Sequence, residues 1–237
     1  MRVVVNARAL KRGERIGLVY LVGATTCLVG GFFVSYSLTD LGTQYLASIG
    51  SLILGLFLWS RNQAYLLRWG RQWRQDGKLR DALKALDDRY QLLVAPRRRL
   101  PDFVAVGPMG VIVLIACPVN GAVQFHDNHW YHDDTRSRLM RWLLWFAPRP
   151  SLGNPSQDAE TGLAATRERL AQRLPEMAER IPTQAAIVFT QPKVTLRVEG
   201  CSVPTLLLKS LRNHVSHLPK ALKQAEINEV VGSLIDV

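Results

Sequence analysis

The sequence predicts an α/β domain with a mixed central sheet, carried behind an N-terminal two-helix transmembrane hairpin. Two apolar runs without a charged side chain predict the hairpin: 23 residues from Ile16 to Leu38 and 20 from Leu41 to Ser60. Short apolar runs bounded by Gly, Pro and Asn, interleaved with segments of helical period, predict the α/β part. Residues 1–74 form the expected membrane anchor and 75–237 the expected α/β domain.

At 1.5 Å per residue, each run reaches across the roughly 30 Å hydrocarbon layer of a bilayer. Both are apolar on every face rather than striped, unlike the buried helices of a soluble protein. Basic residues ahead of the first run would suit a cleaved signal peptide. The run is longer than a signal core, however, and a second follows within a few residues, so a retained hairpin is expected. Arg2, Arg8, Lys11, Arg12 and Arg15 precede the first span, Arg61, Arg68, Arg71 and Arg74 follow the second, and Thr39-Asp40 between them carries no cation. This asymmetry places both termini, and everything after residue 60, on the cytoplasmic side of a plasma (inner) membrane. Trp59, Trp69 and Trp73 stand where interfacial aromatics are expected.

The formal net charge is +11. Residues 1–100 hold 16 Lys and Arg against 6 Asp and Glu, whereas residues 101–237 hold 14 against 13. The excess therefore surrounds the spans, where topology and anionic head groups account for it, and nucleic acid is an unlikely partner. Cys27, Cys117 and Cys201 are far apart and form no CxxC pair, as suits a reducing compartment.

Along the α/β part, Leu79, Ala82, Leu83 and Leu86 recur at helical spacing and predict a helix over 78–86. Residues 90–95 form a short strand-like run, followed by the charged turn Arg97-Arg98-Arg99. Phe103 to Val106, the turn Gly107-Pro108-Met109-Gly110 and Val111 to Ala116 read as a hairpin whose second arm, apolar on both faces, belongs in the middle of a sheet. Ala122 to Phe125 and Trp130-Tyr131 extend the meander. A helix over about 155–174 follows, capped by Asn154 or Ser156, then a strand over 185–190 and helices over 206–218 and 227–235.

The stretches LRDALKALDDRYQLLVAP, PDFVAVGPMGVIVLIACPVNGAVQFHDNHWYHDD, NPSQDAETGLAATRERL and AAIVFTQPKVTL resemble, in order and spacing, the nuclease-related domain (NERD) family. The resemblance covers roughly residues 77–235 and is most specific around the hairpin. It implies the restriction-endonuclease-like PD-(D/E)xK fold. In such nucleases an Asp at the start of one strand and a Glu on the next hold a divalent ion, and a Lys two residues after the Glu shares its face of the strand. Here the resemblance assigns the Asp to Asp102, but Ile115 stands in the Glu position and Cys117 in the Lys position. A helical Glu that the family places nearby aligns with Leu79. An apolar Ile cannot ligate a hard cation, and one carboxylate binds it weakly. Replacement ligands would have to come from Asp81, Asp127 or Glu160. Asp102 is then a turn or cap residue in preference to a ligand. No catalytic residue, metal or cofactor is expected.

Other groupings carry less. His126, His129 and His132 lie on an extended arm where His129 points away from the other two, so a polar rim is favoured over a metal cluster. Arg97, Arg98 and Arg99 read as a solvated turn, as a contact to anionic lipid or a partner, or, last in order, as a contact to nucleic acid. The segment RSRLMRWLLWFAPRP, 136–150, is too short to span and too apolar for a free loop. Its Trp142, Leu143, Trp145 and Phe146 are expected to meet membrane or another subunit, the alternative being an internal core helix. The functional expectation is a non-catalytic, membrane-anchored scaffold or accessory subunit, whose partners are the bilayer and other membrane protein subunits. The alternative is a membrane-tethered, metal-dependent nuclease or nucleic-acid-binding protein.

Overall fold

The computed structural model describes residues 1–37, 40–69, 75–97, 99–133 and 152–235. Their helices are α1 (Ala7–Ser37), α2 (Leu41–Trp69), α3 (Asp76–Leu83), α4 (Pro155–Arg173), α5 (Pro175–Ala178), α6 (Leu208–His217) and α7 (Gln224–Leu234). Their strands are β1 (Arg2–Val5), β2 (Gln91–Val94), β3 (Phe103–Gly107), β4 (Gly110–Cys117), β5 (Gly121–His126), β6 (His129–Asp133), β7 (Thr183–Phe189), β8 (Val194–Val198) and β9 (Thr205–Leu207). They separate into two compact units: an apolar helix pair from residue 10 onward, and an α/β unit that takes in residues 1–9 with those from 75 on.

α1 and α2 are each long and apolar enough to cross a membrane, with windows Ala7–Val34 and Gly42–Gln63. Only 11 % and 6 % of the 18-residue apolar stretch within each is buried in the protein, the opposite of a soluble core helix. Phe32, Phe33, Leu46 and Ile53 are all exposed. Asn6 caps α1 by accepting from the Ala9 N–H at 3.1 Å, and Asp40 caps α2 by accepting from the Thr43 N–H at 2.9 Å. The two helices meet through small residues. A Cβ on Gly55 would stand 2.7 Å from Leu28 Cγ, and one on Gly31 would collide with the Ser51 side chain. Tyr20 stacks on Tyr65 at 5.5 Å between centroids.

The α/β unit holds a six-stranded mixed sheet in the order β1-β2-β3-β4-β7-β9 and a three-stranded sheet in the order β6-β5-β8. β2, β3 and β4 form an antiparallel meander. β7 pairs parallel with β4, β9 with β7, and β1 with β2. Gly110, at φ 100°, closes the two-residue β3–β4 turn, and a Cβ there would run into the Pro182 carbonyl that accepts from the Val111 N–H. Asp127 and Asn128, both at positive φ, make the two-residue turn that joins β5 to β6.

Because side chains alternate along a strand, the large sheet has two apolar faces. On one, Leu79 and Leu83 of α3 and Leu211 and Val215 of α6 cover Leu92, Ile112, Leu114, Ala186 and Val188. On the other, Leu170 of α4 and Ile227, Val230 and Leu234 of α7 cover Val104, Val106 and Val111, while Ala159 of α4 lies in the cluster of Val113, Ile187 and Phe189.

The expected boundary at residue 74 needs one correction, because residues 1–9 group with the α/β unit and not with the helix pair. The β-branched run Val3-Val4-Val5 is too short to bury itself and gains its partners at the edge of the sheet, opposite Leu92, Leu93 and Val94. Residues 205–207 extend as β9 before α6 begins, because they add a parallel strand beside β7. β8 pairs parallel with β5 through Val194 to Val198.

Candidate functional site

The sheet face under α4 contains three of the four positions that the family resemblance singles out. β3 and β4 pair with Val104 opposite Val113, and continuing that register sets Asp102 opposite Ile115. Val113, Ile115 and Cys117 alternate onto this face. Asp102 is half-buried just before β3, and its carbonyl accepts from the Ala95 N–H at 2.7 Å. That contact ties the end of β2 to the start of β3.

α4 sits close on this face because Gly162 permits it: a Cβ there would stand 2.8 Å from Pro101 Cγ and 3.2 Å from Val113 Cγ1. Asn154 caps the helix by accepting from the Gln157 N–H, and Pro155 opens its first turn. Beneath it Cys117 is only 5 % exposed, and Ile115 and Leu163 pack against the same cluster. Ser156 accepts from the Trp130 indole N–H at 2.9 Å, and Trp130 lies against Phe125 and Phe189, which joins the small sheet to the large one.

Burial pushes the Cys117 thiol up to about 12, with the Asp158 carboxylate adding to the shift. At neutral pH burial keeps this sulfur protonated. Asp158, in the first turn of α4, is itself raised by partial desolvation. It is the carboxylate that the structure brings to Cys117, and it is not one of the expected replacements Asp81, Asp127 and Glu160. The available signal was its place in the first turn of α4, next to the buried Ala159.

The remaining positions are not brought to this face. Leu79 is fully buried on the opposite side of the sheet with Ile112 and Leu114. Asp81 is exposed on α3 beside Arg80, Asp127 lies in the β5–β6 turn, and Glu160 is exposed on α4. Among the described residues, no group of three His, Cys, Asp or Glu is placed to hold a metal ion. His129 contacts the Asp127 carbonyl at 2.7 Å within the β5–β6 turn, and His132 of β6 contacts the Asn120 carbonyl of the β4–β5 connection at 2.6 Å.

No family model, curated protein or solved structure matches this chain.

Arg97 is half-buried and Arg99 exposed, in a turn where the Leu100 N–H donates to the Arg97 carbonyl at 3.2 Å. Asn6, the residue before α1, donates to the adjoining Pro96 carbonyl at 3.3 Å. Trp59 is half-buried on α2, and Trp69 is the last residue of that helix. Arg98 and the segment with Trp142, Leu143, Trp145 and Phe146 lie outside the described residues.

Proposed function

We propose that this chain is a non-catalytic, membrane-anchored domain on the nuclease-related plan, serving as a scaffold or accessory subunit of a membrane protein complex. The observation that carries the reading is the burial of Cys117 and the packing of Ile115 under α4, where a metal-binding acid and a lysine would have to stand. The order α3-β2-β3-β4-β5-β6-α4-α5-β7, with β7 parallel to β4, supports the resemblance to the PD-(D/E)xK fold.

The strand pairing of β1 with β2 supports the topology. Two spans leave and re-enter one face of a bilayer, and the residues before α1 share a sheet with residues after α2. Together with the flanking cations, this favours a multi-pass protein with both ends and the α/β unit in the cytoplasm, at the inner membrane. Arg97 and Arg99, beside the strand that leads into α1, are then suited to anionic head groups.

Two measurements test the proposal. Purified full-length protein with Mg²⁺ or Mn²⁺ should leave DNA and RNA uncut, and metal-dependent cleavage that disappears in Asp102→Ala would overturn the non-catalytic reading. Cross-linking in native membranes, followed by size analysis in mild detergent, should recover a defined complex. A chain recovered alone and monomeric would sink the subunit reading.

A further inference from the structure

We infer that the α/β unit binds a small organic phosphate in a cavity at the carboxyl ends of β7 and β9. The cavity measures about 790 Å³, within the range of sites that enclose small molecules. It lies where β4, β7 and β9, mutually parallel, point their carboxyl ends, the edge at which open α/β sheets take up ligands.

Its charge is one-sided. Lys78 of α3 and Lys209 and Arg212 of α6 line it, against a single acid, Asp81. These cations come from two helices far apart in sequence, so the fold converges them and no local run explains them. The Lys78 ammonium is held by the Gln191 side-chain carbonyl at 3.1 Å. The segment after β7 is fixed from beneath: Thr190 is buried, donates its hydroxyl to Gln75 Oε1 at 2.7 Å, and donates its N–H to the Cys117 carbonyl at 3.1 Å. Three cations around one cavity, Lys78 held in place and Lys209 and Arg212 exposed at its rim, select an oxyanion, and a guanidinium among them suits phosphate.

Ala82, Val194 and Leu207 supply an apolar wall. The volume far exceeds what a bare phosphate needs, so the wall calls for an organic part attached to it. Residues 101–237 are almost neutral overall, 14 cations to 13 acids, so this part of the chain adds little net charge to attract a nucleic-acid strand.

The test uses the full chain in phosphatidylcholine nanodiscs, with adenosine monophosphate and inorganic phosphate as probes in equilibrium titrations. The nucleotide should bind saturably and roughly tenfold or more tighter than phosphate. Lys209→Ala and Arg212→Ala, checked for an unchanged melting temperature, should each weaken it by about tenfold, the effect of one charge-assisted hydrogen bond. Arg173→Ala removes the same charge from α4 outside the cavity and should change binding less than about twofold. Added phosphatidylglycerol in the discs separates the sources: competition with the nucleotide assigns the site to a lipid head group, and no competition assigns it to a free metabolite. No saturable binding at millimolar probe, phosphate binding as tightly as nucleotide, or Arg173→Ala weakening binding as much as Arg212→Ala would each overturn the inference.

Discussion

Val3 faces Leu92 across the parallel pair of β1 and β2. Residues ahead of the first apolar helix and residues well beyond the second therefore belong to one sheet, and the helix pair is a loop inserted between two of its neighbouring strands. Deleting the hairpin together with everything before it would expose the edge of β2 as well as remove an anchor.

The ladder gives this pairing a positional test. Arg2 N–H donates to the Tyr90 carbonyl and Asn6 N–H to the Val94 carbonyl, so by alternation the Val4 N–H also turns toward β2 and the Val5 N–H turns away. Val4→Pro should lower the denaturation midpoint of the full chain by an amount worth about 1–3 kcal/mol. Val5→Pro should cost far less, because an outward edge position tolerates proline. Equal losses from the two variants would refute the pairing.

The central hairpin is readable in the sequence because Gly107-Pro108-Met109-Gly110 separates two apolar runs, and helix α4 because Asn154-Pro155 marks its start. β1 is not, since Arg2 to Val5 merges with the cationic flank of the span and four residues carry too little periodicity to stand out. β9 reads in the sequence as part of the helix that follows it, because an apolar run such as Leu206-Leu207-Leu208 suits either state and only pairing with the edge of β7 decides. Of the nuclease-like positions, Asp102, Ile115 and Cys117 could be placed on one face by counting in twos. Leu79 could not be assigned a side of the sheet without tertiary contacts.

Cys117 gives the buried face a chemical reporter. With its thiol pushed up to about 12 and its side chain enclosed, it should react with iodoacetamide at pH 8 on the order of a thousandfold more slowly than a free cysteine, and at the ordinary rate after unfolding. The same shift fixes a sign for stability. The folded state keeps the proton longer than the unfolded chain, so the contribution is fully present below the unfolded thiol's pKa. It is lost as pH rises toward 12. Cys117→Ala should flatten that alkaline decline, and an unchanged alkaline profile would refute the assignment.

Close approach of α1 and α2 predicts a contrast between two glycines of one helix. Gly55 lies against Leu28, with 2.7 Å to a built Cβ, whereas nothing stands within 4 Å of the corresponding position on Gly50. Gly55→Leu should force the helices apart and cost about 1–3 kcal/mol, measured as the fall in thermal midpoint of the detergent-solubilised chain. Gly50→Leu should be neutral or slightly favourable, since leucine has the better helix propensity. If the two variants behave alike, the helices do not meet through Gly55.

Restoring the acid that the nuclease plan would place on β4 should expose the cost of having filled its site. Ile115 packs against the cluster of Val113, Cys117 and Phe189, with Asp102 across the ladder by register and Asp158 near Cys117. A glutamate there loses apolar contact and water at once, in the neighbourhood of two other carboxyl groups, so its folded pKa should lie above the ordinary value. A raised acid leaves stability intact below its unfolded pKa and removes it as pH climbs through the folded one. Ile115→Glu should therefore lose about 1–3 kcal/mol more at pH 8 than at pH 4, measured by chemical denaturation against the parent chain at each pH. Ile115→Gln, of similar shape without the charge, should show a loss that does not vary with pH. A glutamate variant as stable at pH 8 as at pH 4 would mean that the side chain reaches water, and the face beneath α4 would then be open enough for a ligand to reach.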